Sequence, residues 1–391
     1  YKVILNKNIK NRIYLGHLWI YKNEIDKVEG NPAAGAIVDV FNFQHTFIGR
    51  GYYNPASLIT IRLLTHKKEN IDALFFLQRI QEAYQYRLKL GFKKNMRLVF
   101  GEADYLPALI IDKFGDYFVI QTLSLGMDIW LPEIVDAINT IFKPAGIYER
   151  NDVPVRTLEN LPLKKGFLSA PFNTEILIEE NGVRFLVDID KGQKTGYFLD
   201  QKDNRASIQH IVKNASVLGA FCYTGSFEIC AANYGAKSVL GIDISDWAIE
   251  CAQNNARLNK LDSICTFEQH NAFDVLKLWA NQNKKFDVVM LDPPAFTKSR
   301  TNIQNAITGY KEINLRGMKL IHNGGFLVSS SCTNLVSPDL FLQTIELAAK
   351  DAKKSIRQVV YNTQSSDHPI IYGIDNTQYL KFIIVEVKDK F

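Results

Sequence analysis

The stretch Phe286–Phe296, FDVVMLDPPAF, decides how the chain is read. Its apolar run VVML, bounded by polar residues, fits a strand covered on both faces of a parallel sheet. The Pro-Pro pair ends that strand at once, because proline has no N–H for a ladder and restricts the residue before it. Asp292 is thereby placed at the carboxyl end of a central strand, the edge at which open α/β sheets bind ligands. Alone, a D-P-P turn leaves two readings level: a carboxylate capping the next turn, or a functional acid.

The surroundings of this stretch favour a ligand-binding sheet. After Lys191 strands and helices alternate: SVLGAF, a helix from Ser226, SVLGID, a helix from Asp246 to Leu258, ICTFEQ, and a helix from Ala272. Then come FDVVMLD, a helix from Asn302 to Ile321, GFLVSSS, a helix near Pro338 to Ala349, IRQVVY and YLKFIIVEV. That rhythm predicts an α/β, doubly wound, Rossmann-like parallel sheet over residues 191–391. Upstream, residues 1–68 read as short strands between turns, KVIL, AIVDVF, TFIGRGYY and SLITIRLL, which suggests a small β-barrel. Residues 69–190 read as a central α+β domain, opened by a helix from Asn70 to Leu90 and stopped by Gly91.

Composition bounds the function class. Apolar content of 47% and charged content of 22% suit a soluble globular protein. No apolar run is long enough for a membrane helix, and the first residues lack the apolar core of a signal peptide. The cysteines Cys222, Cys230, Cys251, Cys265 and Cys332 form no CxxC pair, so structural zinc or a disulfide framework is not expected. A reducing cytoplasm is the expected setting. The net charge is +5, and the first 70 residues carry the whole excess, with 10 Lys/Arg against 5 Asp/Glu. A basic small domain is compatible with phosphate contacts to nucleic acid, and equally with a solvated surface.

Four further strand ends carry candidate chemistry. The turn Gly219-Ala-Phe-Cys-Tyr-Thr-Gly225-Ser leads from a strand into a helix, so backbone and helix N–H groups can face a ligand. It is not the G-x-G-x-x-G of a nicotinamide site. Asp243, at the end of the next strand, is placed to accept from ribose hydroxyls or to cap the following helix. Asn271 is placed to meet an adenine amino group, or again to cap a helix. Cys332 follows the fifth strand among hydroxyl and amide residues, next to Asp292. The other cysteines read as inert small core residues. Cys332 has the partly polar setting that a nucleophilic thiolate needs.

KTGYFLDQKDNR (194–205), VLGAFCYTGSF (217–227), GID (241–243), FDVVMLDPPAF (286–296) and GGFLVSSSCTNL (324–335) together resemble the class I S-adenosylmethionine-dependent rRNA methyltransferases of the cytosine carbon-5 type. Within that group it looks like the large-subunit rRNA 5-methylcytosine enzymes that carry an N-terminal PUA domain. RLVFGEADYLPALIIDKFGDY, GIYERND, SSDHP and YLK extend the likeness over nearly the whole chain. The resemblance implies a PUA RNA-binding barrel at the N-terminus and a methyltransferase sheet with a reversed last strand. It implies S-adenosylmethionine as cofactor, rRNA as partner, no metal, and suggests a homodimer.

Carried over by position, the resemblance sets Phe221, Tyr223 and Gly225 beside the cofactor, Asp243 at its ribose, and Asn271 and Ala272 near adenine. Gln201 or Arg205 reaches the cofactor from the segment before the sheet. Asp292 and Pro293 contact the target base, Asp292 also borders the cofactor, and Cys332 matches the nucleophile. Gly219 departs from the family, which usually has Asp or Asn there, and Asn271 replaces a common Asp. Two other readings stay open on the residues: an exocyclic-amine or guanine N-methyltransferase, and a PUA RNA-binding protein without activity.

Overall fold

In the computed structural model, residues 1–7, 9, 11–297 and 299–390 are described. The chain divides into two compact units. One contains residues 1–178, 187–200 and 366–377, and the other 179–186, 201–365 and 378–391.

The first unit holds two sheets. Six strands form one, in the order Trp19–Tyr21, Ile59–Thr65, Phe47–Tyr53, Ile37–Phe41, Lys2–Leu5, Ile25–Glu29. Two of these, Trp19–Tyr21 and Ile25–Glu29, go beyond the four strands expected from sequence. Both are edge strands, the first only three residues long and the second of mixed polarity, so no alternation marks them. The sheet closes over Val3, Leu5, Ile20, Val38, Val40, Ile61 and Leu63. The second sheet has five strands between Asn95 and Phe167, backed by the helices Ala73–Lys89 and Leu131–Phe142.

Buried polar contacts join the two sheets. The Tyr52 hydroxyl donates to Pro107 O at 2.9 Å, and Glu159 accepts from Asn54, Ser57 and Arg62 at 2.8, 2.5 and 2.9 Å. Removing one member of such a buried charged set strands the rest, at a cost of about 3–5 kcal/mol. Residues 1–68 and 69–178 thus carry separate sheets within one compact unit, whereas 179–186, expected in the central domain, fall in the second unit, and 191–200 and 366–377, expected with the parallel sheet, fall in the first. The basic excess is partly neutralised here too: Arg12 pairs with Glu24, Arg50 with Asp39 and Arg62 with Glu159. All but Ser365 of the late SSDHP segment belongs to this unit, where Asp367 accepts from the Arg97 backbone N–H and from the Arg87 guanidinium.

The second unit is built on one seven-stranded sheet. Its elements in chain order are β1 (Ser216–Ala220), α1 (Ser226–Asn233), β2 (Ser238–Asp243), α2 (Asp246–Leu258), β3 (Cys265–Gln269), α3 (Ala272–Asn281) and β4 (Phe286–Leu291). They continue as α4 (Ile303–Lys319), β5 (Ile321–Ser331), α5 (Pro338–Asp351), β6 (Lys354–Asn362) and β7 (Lys381–Asp389). Spatial order is β3-β2-β1-β4-β5-β7-β6. The strands β3 to β5 run parallel, and β7 is antiparallel to both β5 and β6.

The central run behaves as its pattern requires. Val288 and Val289 have no exposure, and Met290 and Leu291 are 3% and 1% exposed. Each buried side chain of that size contributes roughly 1.5–3 kcal/mol, so a charge at Val289 would break the sheet at its middle. Helix starts are capped where the sequence offers a short polar residue: Ser245 accepts from Ala248 N, Asn271 from Phe273 N and Ser337 from Leu340 N. The caps hold the carboxyl ends of β2 and β3 close to the helices that follow them.

Candidate active site

Apart from Gln201 and Arg205, which precede the sheet, the expected site residues lie at the carboxyl ends of β1 to β5, all within the second unit. After β1 the chain turns sharply. Phe221 and Tyr223 both take left-handed backbone angles, with φ of 64° and 48°, and Gly225 follows at 80°. A Cβ on Gly225 would stand 2.9 Å from Phe267 Cζ and 3.0 Å from Ala252 Cβ, so only glycine suits the position. The turn is pinned to its neighbours. Tyr223 N donates to Asp243 Oδ2 at 2.9 Å, Cys222 N to Ile242 O at 3.0 Å, and Asn255 Nδ2 to Thr224 O at 3.2 Å.

Asp243 also accepts from Ser245 N through Oδ1, at 3.0 Å. Both carboxylate oxygens are therefore oriented by backbone N–H groups, and a carboxylate oxygen has a further lone pair for a hydroxyl. Asn271 does cap α3, as its alternative reading allows, accepting from Phe273 N at 3.0 Å. Its amide nitrogen is not used by the cap, and Ala272 beside it is buried. Aromatic rings line this end of the sheet: Phe221 lies 6.3 Å from both Phe273 and Phe296, and Tyr223 lies 6.0 Å from Trp247.

The acid and the thiol lie on adjoining strand ends. Asp292 Oδ1 accepts from Gln201 Nε2 at 3.0 Å and from the Ser330 hydroxyl. Gln201 is itself held, because its Oε1 accepts from Asn204 Nδ2 at 2.7 Å. Cys332 Sγ approaches Pro293 O at 3.9 Å, and Cys332 is half-buried, unlike Cys222, Cys230 and Cys265, which are buried. Phe296 packs on Tyr310 at 4.6 Å and so braces the D-P-P turn from α4. Burial raises the Tyr310 phenol, so it stays a neutral hydroxyl.

Sequence reasoning missed Lys381. It sits in register with Ser331, is 1% exposed, and donates to Thr333 O and to Tyr379 O, the latter at 3.0 Å. Burial pulls its ammonium down to about 8, and the nearby Cys332 thiol opposes that pull. Its place in YLK was visible, but its register against the cysteine strand was not.

Two expected cofactor residues have other engagements. Gln201 donates to Asp292. Arg205 has no exposure, and its Nε donates to Glu180 Oε1 at 2.6 Å. Its guanidinium also reaches Ser226 Oγ at 3.5 Å and covers the Phe227 ring at 5.8 Å. These contacts tie Arg205 into the packing of the Lys202–Ser207 helix on α1. Among the described residues, no group of three or more His, Cys, Asp or Glu side chains could hold a metal ion, and no helix is long and apolar enough to cross a membrane.

This strand order, with its glycine turn after β1 and an acid ending β2, is of the kind that can take a nucleoside cofactor. The family profile of S-adenosylmethionine-dependent methyltransferases matches residues 165–382, and that of the PUA-like domain matches residues 3–66. The chain belongs to the S-adenosylmethionine-dependent methyltransferases, and S-adenosylmethionine is its cofactor. Over 97% of its length it is 36% identical to Ribosomal RNA large subunit methyltransferase I of Escherichia coli, covering 98% of that protein. The same holds for the protein of that name from Shigella dysenteriae serotype 1, at 36% identity over 97% of each chain. Among solved structures, a SAM-dependent methyltransferase from Streptococcus mutans superposes with a TM-score of 0.84, at 20% identity over 98% of this chain and 99% of that one. SMU.776, a methyltransferase solved with SAH, gives a TM-score of 0.85, also at 20% identity, over 98% of this chain and 99% of that one. At 20% identity both likenesses concern the fold.

The residues present fit this cofactor. Asp243 is oriented for a diol, the left-handed turn brings backbone close, and a buried carboxylate oxygen, Glu228 Oε2, has no hydrogen-bond partner among the described residues.

Proposed function

We propose that the chain methylates carbon 5 of a cytosine in large-subunit rRNA, with Cys332 as covalent nucleophile. The observation that carries this is the pairing of a half-buried thiol with an oriented acid on adjoining strand ends, Cys332 against Pro293 and Asp292 held by Gln201 and Ser330. An amine-methylating site has work for the acid but none for the thiol. The relatives named above add weight to rRNA as substrate, and the PUA-like segment supports an RNA-binding role.

In this reading Phe221, Tyr223, Gly225, Asp243, Asn271 and Ala272 hold the cofactor, which supplies an electrophilic methyl group when bound. Carbon 5 of cytosine is a weak nucleophile. The Cys332 thiolate adds to carbon 6, forming an S–C bond and pushing electron density onto carbon 5. Asp292 binds the exocyclic amine and ring-nitrogen edge and stabilises the charge that develops there. Gln201 and Ser330 keep its carboxylate in place, and Pro293 stiffens the wall against the base. After transfer, loss of the carbon-5 proton and expulsion of the thiolate restore aromaticity and the free enzyme. The target base has to be unpaired or flipped out of its stack to reach the strand ends.

The reading includes a cytoplasmic setting and a homodimer, the latter tested by sedimentation equilibrium of the full chain. Labelled S-adenosylmethionine with rRNA, followed by digestion to nucleosides, tests the function. Label in 5-methylcytidine supports it. Label in a methylguanosine, or none, contradicts it.

A further inference from the structure

Gly219 lies within β1, level with Gly241 on β2 and Met290 on β4. The room a side chain would take there is filled from α1. A Cβ built on Gly219 would collide with Glu228 Oε1 and stand 2.7 Å from its Cδ and 2.8 Å from its Cγ. Gly241 borders the same space, with its built Cβ 3.2 Å from Glu228 Cγ. Two glycines on adjacent strands thus make room for one glutamate.

Glu228 is 2% exposed, and its Oε2 has no hydrogen-bond partner among the described residues. The charged and titratable groups around it are Asp292 and Asp243 at the ends of β4 and β2, Arg205 from the Lys202–Ser207 helix, and the Cys222, Cys230 and Cys265 thiols. Burial is the largest influence on its carboxyl, Asp292 and Asp243 add to it, and the Glu228 backbone N–H and Arg205 oppose; the result is a value raised to about 8. A buried carboxyl with one oxygen left without a partner is costly to keep. It fills the space at Gly219, level with Gly241 and Met290, which stand two residues before Asp243 and Asp292, and this setting points to a donor that arrives with the ligand. S-adenosylmethionine brings one cationic donor of this kind, the ammonium of its amino-acid end.

We propose that Glu228 binds this ammonium, reaching it from α1 through the gap that Gly219 leaves open. Position 219 is where the resemblance expects Asp or Asn, so the carboxylate has moved from strand to helix. The inference rests on the S-adenosylmethionine site described above.

Titration calorimetry of the full chain with S-adenosylhomocysteine, which has the same amino-acid end, tests it alongside thermal melting. Glu228→Gln keeps the shape and removes the charge; it should stay folded and bind roughly tenfold or more weakly, the scale of a lost charge-assisted hydrogen bond. Glu228→Ala should bind as weakly. Gly219→Asp alone should melt lower, because its side chain meets Glu228. Gly219→Asp combined with Glu228→Ala should recover both stability and affinity. Glu228→Gln and Glu228→Ala binding as tightly as wild type would overturn the inference, as would a folded double variant no tighter than Glu228→Ala. A wild type that fails to bind S-adenosylhomocysteine would overturn the cofactor site and the inference together.

Discussion

Gln201 Nε2 donates to Asp292 Oδ1 at 3.0 Å, across 91 positions of sequence. The amide fixes the direction in which the acid presents its remaining lone pairs. Gln201→Ala should therefore lower kcat about 10- to 100-fold, the worth of a hydrogen bond to a charged group, with little change in affinity for S-adenosylhomocysteine. Steady-state kinetics with separate cofactor binding measure the split. Weakened cofactor binding at unchanged kcat would move Gln201 to the cofactor.

Lys381 is buried beside Cys332, and a cation there favours the thiolate. Lys381→Met should raise the thiol's titration midpoint and slow its alkylation at neutral pH. Rates of iodoacetamide labelling across pH, read by peptide mass spectrometry, separate Cys332 from the half-buried Cys251. An unshifted profile would remove Lys381 from the thiol's surroundings.

Arg205 and Glu180 form an ion pair in which both side chains are 1% exposed. Arg205→Met should destabilise the chain by about 3–5 kcal/mol, because the buried Glu180 carboxylate loses its guanidinium partner. Adding Glu180→Met should recover much of that loss. Chemical denaturation of the two single variants and the double reads the coupling. An Arg205→Met chain of normal stability that binds S-adenosylhomocysteine poorly would instead put Arg205 in the cofactor site.

The Glu228 carboxyl, raised to about 8, holds its proton at pH 7 in the free protein. The unfolded chain loses that proton near 4.5, so this group's contribution to stability falls as pH rises from there to about 8. Pairing with an ammonium lowers the carboxyl again. Cofactor binding at pH 7 should then release close to one proton in wild type and none in Glu228→Gln. Calorimetry in two buffers of different ionisation enthalpy counts it.

Much of this site can be read from short-range pattern. VVML followed by D-P-P places Asp292, because an apolar run without alternation means a doubly covered strand and proline ends it. The strand-helix rhythm after Lys191 carries the sheet, and Cys332 follows from its place after the fifth strand. What escaped notice depends on register between distant segments. Glu228 reads as an ordinary acid in the first turn of a helix; its meaning comes from Gly219 and Gly241, brought level on adjacent strands. Lys381 acquires a role only through its pairing with Ser331. Gln201 was expected at the cofactor, because nothing local shows that its amide meets Asp292. The SSDHP segment carries no pattern of its own, and its place in the first unit rests on contacts with Arg87 and Arg97.

Covalent attack by Cys332 on the pyrimidine is the central claim, and trapping tests it most directly. An rRNA substrate with 5-azacytidine at the target has nitrogen in place of carbon 5, so no proton can leave and the adduct persists after methyl transfer. The account predicts a denaturation-resistant protein–RNA complex whose digest carries the nucleotide on Cys332, absent from Cys332→Ala, a variant that still binds S-adenosylhomocysteine and loses transfer by about three orders of magnitude or more. No covalent complex, together with full turnover by Cys332→Ala on cytosine-containing rRNA, would contradict it.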